Sequence, residues 1–361
     1  MSAAPRLVAL ATAVPPHLLR QPDVARFAAH LFPETLGNRQ RLLEMFEHTD
    51  IEKRHMCMPL DWFARTHDFA EKNDLYVVNA VRLGAEVARQ ALAEAGLEAA
   101  DVDHLVFVSS TGLATPSVDA RLANALGMRE DLKRTPIWGL GCAGGAVGLS
   151  RAGDFARADP NARVLLIALE LCSLTFQHDD LSKRNLVASS LFADGAAAAL
   201  VMGSDAAWRR NGGPPPLALG ASFSMLWKDT LDVMGWDVDG EGLHVVFSRD
   251  IPTIVHEKVR PSLDRFLAEC GLRRDRLDHL VAHPGGAKVL RAYSDALALP
   301  ASAFEHAREV LRDYGNMSAP SCLFVLERFR RAREIAQGDH ALVTALGPGF
   351  SAEYVLLSGM R

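Results

Sequence analysis

Two rhythms of apolar and polar positions alternate along this chain. Short runs such as LVALATA, HLVFV, RVLLIAL and AAAALV are apolar on both faces and predict buried strands. Between them lie longer stretches such as AVGLSRAGDFARA, whose mixed pattern suits helices. Strands alternating with helices predict an α/β protein, a mixed sheet covered by helices.

The order then repeats. DHLVFVSSTG (103–112) and DHLVAHPGG (278–286) each read as a strand running into a glycine turn. The first is followed by GCAGGAVGLSRAGDFARA, the strand ARVLLIALE and then FADGAAAALVMGS. The second is followed by GNMSAPSCLFVLERFRRARE, the strand HALVTALGPG and then FSAEYVLLSG. The strand starts lie 175 residues apart (278 minus 103), and the helix-bearing corners 174 apart (316 minus 142). A duplicated unit is expected, with halves 1–208 and 209–361 joined near the Pro-Gly segment DAAWRRNGGPPP. The corner helices carry little charge in their early turns (AGGAVGL, SAPSCLFVL), so they are expected between two sheets.

Duplication also predicts where chemistry gathers. Equivalent corners of two mirrored halves face each other, which pairs Cys142 with Asn316. His283 ends the strand HLVAHP beside them. All three are expected at the carboxyl ends of strands, where ligand sites of α/β sheets lie. Around Cys142 the sequence GLGCAGGA clears every bulky side chain. Glycines let the backbone turn sharply, and the following helix N-terminus favours thiolate over thiol. Each residue taken alone has a structural role open to it: a buried small residue for Cys142, a core histidine for His283, a helix N-cap for Asn316.

Composition narrows the function classes. The chain of 361 residues exceeds one small core, and 49% hydrophobic with 23% charged residues is an ordinary globular balance. A net charge of −5 points to neither nucleic acid nor an anionic membrane. LVALATAVPP lacks a basic leader and ends in Pro-Pro, so a first buried strand is expected rather than a signal peptide. No apolar run approaches the roughly 20 residues of a membrane span. The five cysteines are scattered without CxxC or CxxH spacing. That excludes a disulfide framework and a zinc site, and favours a reducing, cytoplasmic compartment.

GLGCAGG, FADGAAAALV, HPGG, YGNMSAPS and ALGPGFSAE, in that order, resemble the type III polyketide synthases, the chalcone-synthase-like branch of the thiolase superfamily. The resemblance implies a homodimer with a duplicated five-layer αβαβα fold and a buried cavity reached by a coenzyme A tunnel. It implies an acyl starter loaded from acyl-CoA onto Cys142, extension by decarboxylative condensation with malonyl-CoA, and cyclisation to a pyrone, resorcinol or related ring. No metal, redox cofactor or phosphopantetheine prosthetic group is implied. His283 would act as imidazolium partner of the thiolate, and with Asn316 would donate N–H groups to the enolate oxygen. Phe192 matches the family's gatekeeper. Ser110, Thr111, Cys172, Thr175, Trp236, Val245 and Ser318 map onto the pocket, and Thr115 onto a loop reaching the partner subunit's cavity. Gly347, Pro348 and Gly349 match the cyclisation loop, while Arg41 and Arg54 are the expected coenzyme A contacts. Two other readings remain: a single-condensation enzyme like ketoacyl synthase III, and a silent acyl-CoA-binding dimer.

Overall fold

The computed structural model describes residues 4–32, 39–208, 210 and 212–360, so residue 209, at the expected boundary between halves, lies outside the described residues. The first half runs β1 (Arg6–Ala13), β2 (His17–Arg20), α1 (Gln21–Leu31), α2 (Arg39–Glu47), β3 (Lys53–Met56), α3 (Phe69–Ala95), β4 (His104–Val108), α4 (Val118–Leu126), β5 (Lys133–Ile137), α5 (Gly144–Ala158), β6 (Arg163–Leu171), α6 (Lys183–Leu191) and β7 (Asp194–Met202). The second runs β8 (Leu217–Leu226), β9 (Met234–Asp239), β10 (Gly242–Phe247), α7 (Ile251–Glu269), β11 (His279–Ala282), α8 (Ala287–Leu297), α9 (Glu305–Tyr314), α10 (Ser321–Ala332), β12 (His340–Gly347) and β13 (Ser351–Gly359).

The sheet shows the duplication directly. Strands β1-β7-β6-β4 neighbour one another in the same order as β8-β13-β12-β11. Directions repeat as well: β4 is parallel to β6 and β11 to β12, while β7 and β13 run antiparallel to their neighbours. Within this nine-stranded sheet only β5 lacks a counterpart. The two half-sheets meet edge to edge through just Arg6↔Ala218 and Leu7↔Leu217.

Helices complete five layers. α3 packs on the outer face of β1, β6 and β7, and α7 packs against β13 on the far side. α5 and α10 lie between, each touching strands of both halves. Their small, uncharged first turns allow this. A Cβ on Gly145 would sit 2.7 Å from the Cys322 sulfur and closer still to the Ala319 carbonyl oxygen. The glycines around Cys142 therefore serve close helix packing as well as the turn. The strands follow the same logic: every residue of β7 is buried, and in β6 only Arg163 is not.

Candidate active site

Both corners are short turns. Cys142 sits in a single 3₁₀ turn, Gly141–Ala143, that leads into α5. Asn316 lies in the segment joining α9 to α10, and His283 immediately follows β11. All three are buried, and all three line one cavity of about 1040 Å³. Leu191, Trp236, Phe247, Gly285 and Leu346 form part of its wall. The paired-corner geometry expected from the repeat is the geometry observed.

The polar groups are partly spent and partly free. Asn316 Oδ1 accepts from the Ser318 N–H at 2.8 Å, and Asn316 Nδ2 donates to the Gly285 carbonyl at 3.1 Å. A carboxamide nitrogen carries two hydrogens, and the second is in reach of the Cys142 sulfur and of a ligand held there. Neither ring nitrogen of His283 has a hydrogen-bond partner. A buried, unsatisfied imidazole is costly, and a ligand that bonds to it recovers that cost.

Burial also sets the charge state. It pushes the Cys142 thiol up to about 11, against the opposing influence of Ser318 and Asn316, and pushes His283 down to about 3. Burial thus disfavours either charge by itself, while a thiolate beside an imidazolium would offset part of that cost.

Phe192 is the C-cap of α6 and pairs with Asn316 in an isolated parallel bridge. Its ring packs with Cys172 and Ala188 and against Trp236, Val245 and Phe247. Beyond it lies a narrow apolar recess lined by Cys172, Thr175, Val245 and Phe192 together with Val24, Ala28, Phe32 and Phe63. The Thr175 hydroxyl donates to the Cys172 carbonyl at 2.8 Å. Val245, Cys172, Thr175 and Phe192 line this recess and not the cavity of Cys142, His283 and Asn316, whereas Trp236 lines that cavity.

Other expected positions fall elsewhere. Ser110 and Thr111 lie beneath the cysteine turn, outside the main cavity lining. The Ser110 hydroxyl accepts from the Gly141 N–H at 3.0 Å, and the Thr111 hydroxyl donates to Glu170 at 2.8 Å. Ser318 is buried, with positive φ, next to Cys142. Gly347 and Pro348 pack on the Ala143 and Gly141 backbone, and Gly349 lies against Leu226. Thr115 is exposed on this chain and does not line its own cavity.

The basic contacts require correction. Arg41 is exposed on α2 and is absent from the cavity wall. Arg54 is fully buried and donates to two backbone carbonyls, so it is not available at a tunnel entrance. Instead Lys183, Arg184, Arg249 and Lys288, all exposed, ring the mouth, interspersed with Asp232, Asp237 and Asp250. Lys183 and Arg184 open α6 and Lys288 opens α8; neither first turn carries an acidic residue. Cations there oppose the helix dipole, an unfavourable arrangement that a bound anion reverses.

Glu170 was missed. It is the single carboxylate in the otherwise apolar strand β6, and it accepts from the Ser110 N–H at 2.9 Å and the Thr111 hydroxyl. Burial raises it to about 7, above its ordinary range. A lone carboxylate among the buried apolar residues of β6 was the available signal.

This fold and cavity define a duplicated α/β enzyme built around a buried cysteine. The chalcone and stilbene synthase N-terminal domain profile matches residues 2–206, and the C-terminal domain profile matches residues 221–361. The chain belongs to that family, the type III polyketide synthases, acyltransferases that perform decarboxylative condensation. It is 41% identical over 351 residues to a 1,3,6,8-tetrahydroxynaphthalene synthase of Streptomyces peucetius subsp. caesius, covering 97% of this chain and 92% of that one. It is 39% identical to a putative chalcone synthase of Bacillus subtilis (strain 168), over 98% of each chain. The crystal structure of 1,3,6,8-tetrahydroxynaphthalene synthase from Streptomyces coelicolor A3(2) superposes with a TM-score of 0.91 at 30% identity, covering 99% of each chain. No helix among the described residues is long and apolar enough to cross a membrane.

Proposed function

We propose that this enzyme loads an acyl starter from acyl-CoA onto Cys142, extends it with malonyl-CoA, and cyclises the product to a pyrone, resorcinol or related ring. The observation that carries this is the meeting of Cys142, His283 and Asn316 in one cavity with a cationic mouth. The coenzyme A phosphates sit among Lys183, Arg184, Arg249 and Lys288, and the pantetheine arm reaches inward.

In loading, Cys142 Sγ attacks the thioester carbonyl while His283 takes its proton. Thiolate and imidazolium form together, so their attraction in the low-dielectric cavity offsets much of their desolvation. The proton then passes to the departing coenzyme A thiolate. In extension, the malonyl thioester oxygen accepts from neutral His283 and from the free Asn316 N–H. Loss of CO2 puts negative charge on that oxygen, where the two donors stabilise it. The enolate carbon attacks the acyl-Cys142 carbonyl, and the sulfur leaves. Phe192 supplies an apolar wall for the carboxylate that is lost. The steps run on thiol, imidazole and carboxamide alone.

The apolar recess behind Phe192 favours an aliphatic starter, with Val245 setting how far the chain reaches. The active form is a homodimer in which Thr115 meets the partner's cavity. A panel of short, long and aromatic acyl-CoA starters with malonyl-CoA, read by product mass, tests the reading. Expected are cyclised products of more than one extension, best with aliphatic chains, and a shift to shorter chains in Val245→Phe. A single β-ketoacyl product would replace the reading with one condensation. No product and no CO2 release would leave an acyl-CoA-binding scaffold.

The mouth has its own test. Lys183→Glu/Arg184→Glu is expected to raise KM for acyl-CoA by about tenfold, the scale of one lost charge-assisted contact. The gap between variant and wild type narrows at high salt. An unchanged KM would remove the phosphates from this rim.

A further inference from the structure

We propose that Arg54 is a positioning residue that holds the gatekeeper Phe192 and the carboxamide residue Asn316 in mutual register from outside the main cavity, at the wall of the recess behind Phe192. It enters from β3, and its side chain is completely buried. Nη1 donates to the carbonyls of Ser189 and Phe192, both at 2.7 Å. These belong to the C-terminal turn of α6, which carries no basic residue of its own in its last turn. A helix C-terminus leaves carbonyls unsatisfied and favours a cation, so Arg54 caps α6 in trans.

The neighbouring carbonyls are also captured. Gln21 Nε2 donates to the Ser190 carbonyl at 2.9 Å. The Leu191 carbonyl accepts from the Asn316 N–H at 2.9 Å, and the Ala193 N–H returns a bond to the Asn316 carbonyl. Each carbonyl from Ser189 to Phe192 thus points at a fixed donor, and two of the four donors are on one guanidinium nitrogen.

The stem of Arg54 does the complementary work in the second half. Gly315 has φ +72°, and a Cβ there would lie 2.8 Å from Arg54 Cγ and 2.9 Å from Cδ. The aliphatic stem therefore lies on the glycine immediately before Asn316, while the guanidinium grips the turn carrying Phe192. One side chain spans the two halves where they supply the decarboxylation groups. Nε and Nη2 have no partner, and no salt bridge is formed with nearby Asp194, whose charge acts through space. A buried arginine left half-unsatisfied is a poor way to gain stability alone. Its value lies in geometry.

The proposal rests on the reading of Cys142, His283 and Asn316 above, and its test separates the two. Acyl transfer from acyl-CoA to Cys142 is followed by intact-protein mass, malonyl-CoA decarboxylation by CO2 release, and fold by the thermal midpoint. Arg54→Met keeps the stem over Gly315 but deletes both hydrogen bonds. Decarboxylation is expected to fall about 10- to 100-fold, the scale of a sub-ångström to 1 Å misplacement. Loading is followed with an acetyl starter, too short to fill the recess that Arg54 also lines; it stays within about twofold and KM for malonyl-CoA holds, because Cys142 and the mouth are untouched. Arg54→Lys, retaining charge and a donor, recovers part of the loss and reads the effect if Arg54→Met does not fold. Loading and decarboxylation falling in equal proportion, or decarboxylation unchanged in a folded variant, would overturn the positioning role. If wild type neither loads nor decarboxylates, the failure lies in the proposed function and not in Arg54.

Discussion

Asn316→Asp is expected to lose malonyl-CoA decarboxylation by about 10²- to 10³-fold or more, the scale of removing one oxyanion donor. The substitution is nearly isosteric. A carboxylate oxygen still accepts from the Ser318 N–H, so the turn keeps its shape. What disappears is the free N–H, replaced by an acceptor that repels the developing enolate. The bond to the Gly285 carbonyl is lost as well. Loading of Cys142 needs no enolate and is expected to fall far less than decarboxylation, even though the Asn316 contact that favours the thiolate is lost, so the variant still accumulates acyl-enzyme. Stopped CO2 release with a normal mass adduct is the signature. A decarboxylation rate within tenfold of wild type would show that the carboxamide is not the donor.

Gly145→Ala is the second large effect, and it acts through packing. The added methyl would overlap the Ala319 carbonyl oxygen and lie 2.7 Å from the Cys322 sulfur. Both lie on the approach of α10 to α5, where the halves interlock. Overpacking of this kind costs about 1–3 kcal/mol. The helices have to part to relieve it, and Cys142 and Asn316 lie in the segments that lead into them. The expected outcome is a lower thermal midpoint together with a steep fall in product, larger than the stability loss explains. A variant with wild-type midpoint and product yield would show that the α5–α10 contact tolerates separation.

The plan of the fold was legible because it is written twice. Strand β4 and strand β11 share the string DHLV at their starts, and their downstream elements follow in the same order. That repeat alone pointed Cys142 at Asn316. The mouth was not legible in the same way. Its cations come from the starts of α6 and α8 and the residue before Asp250 at the start of α7, far apart in the chain and adjacent only after folding. Arg54, expected as a coenzyme A contact, is buried instead. The alternation in β3 held the answer. Lys53 is exposed, while Arg54 and Met56 share the buried face, as period two requires. Glu170 lies outside the glycine corners, and its signal is of another kind, a carboxylate among the buried residues of an apolar strand.

The most direct test of the account is the mass of the intact enzyme after exposure to acyl-CoA, with the modified peptide mapped. One acyl group per chain on Cys142, absent in Cys142→Ala and discharged into a longer product on adding malonyl-CoA, is the predicted result. An acyl group found on Cys172, or none on any cysteine while product still forms, would contradict it.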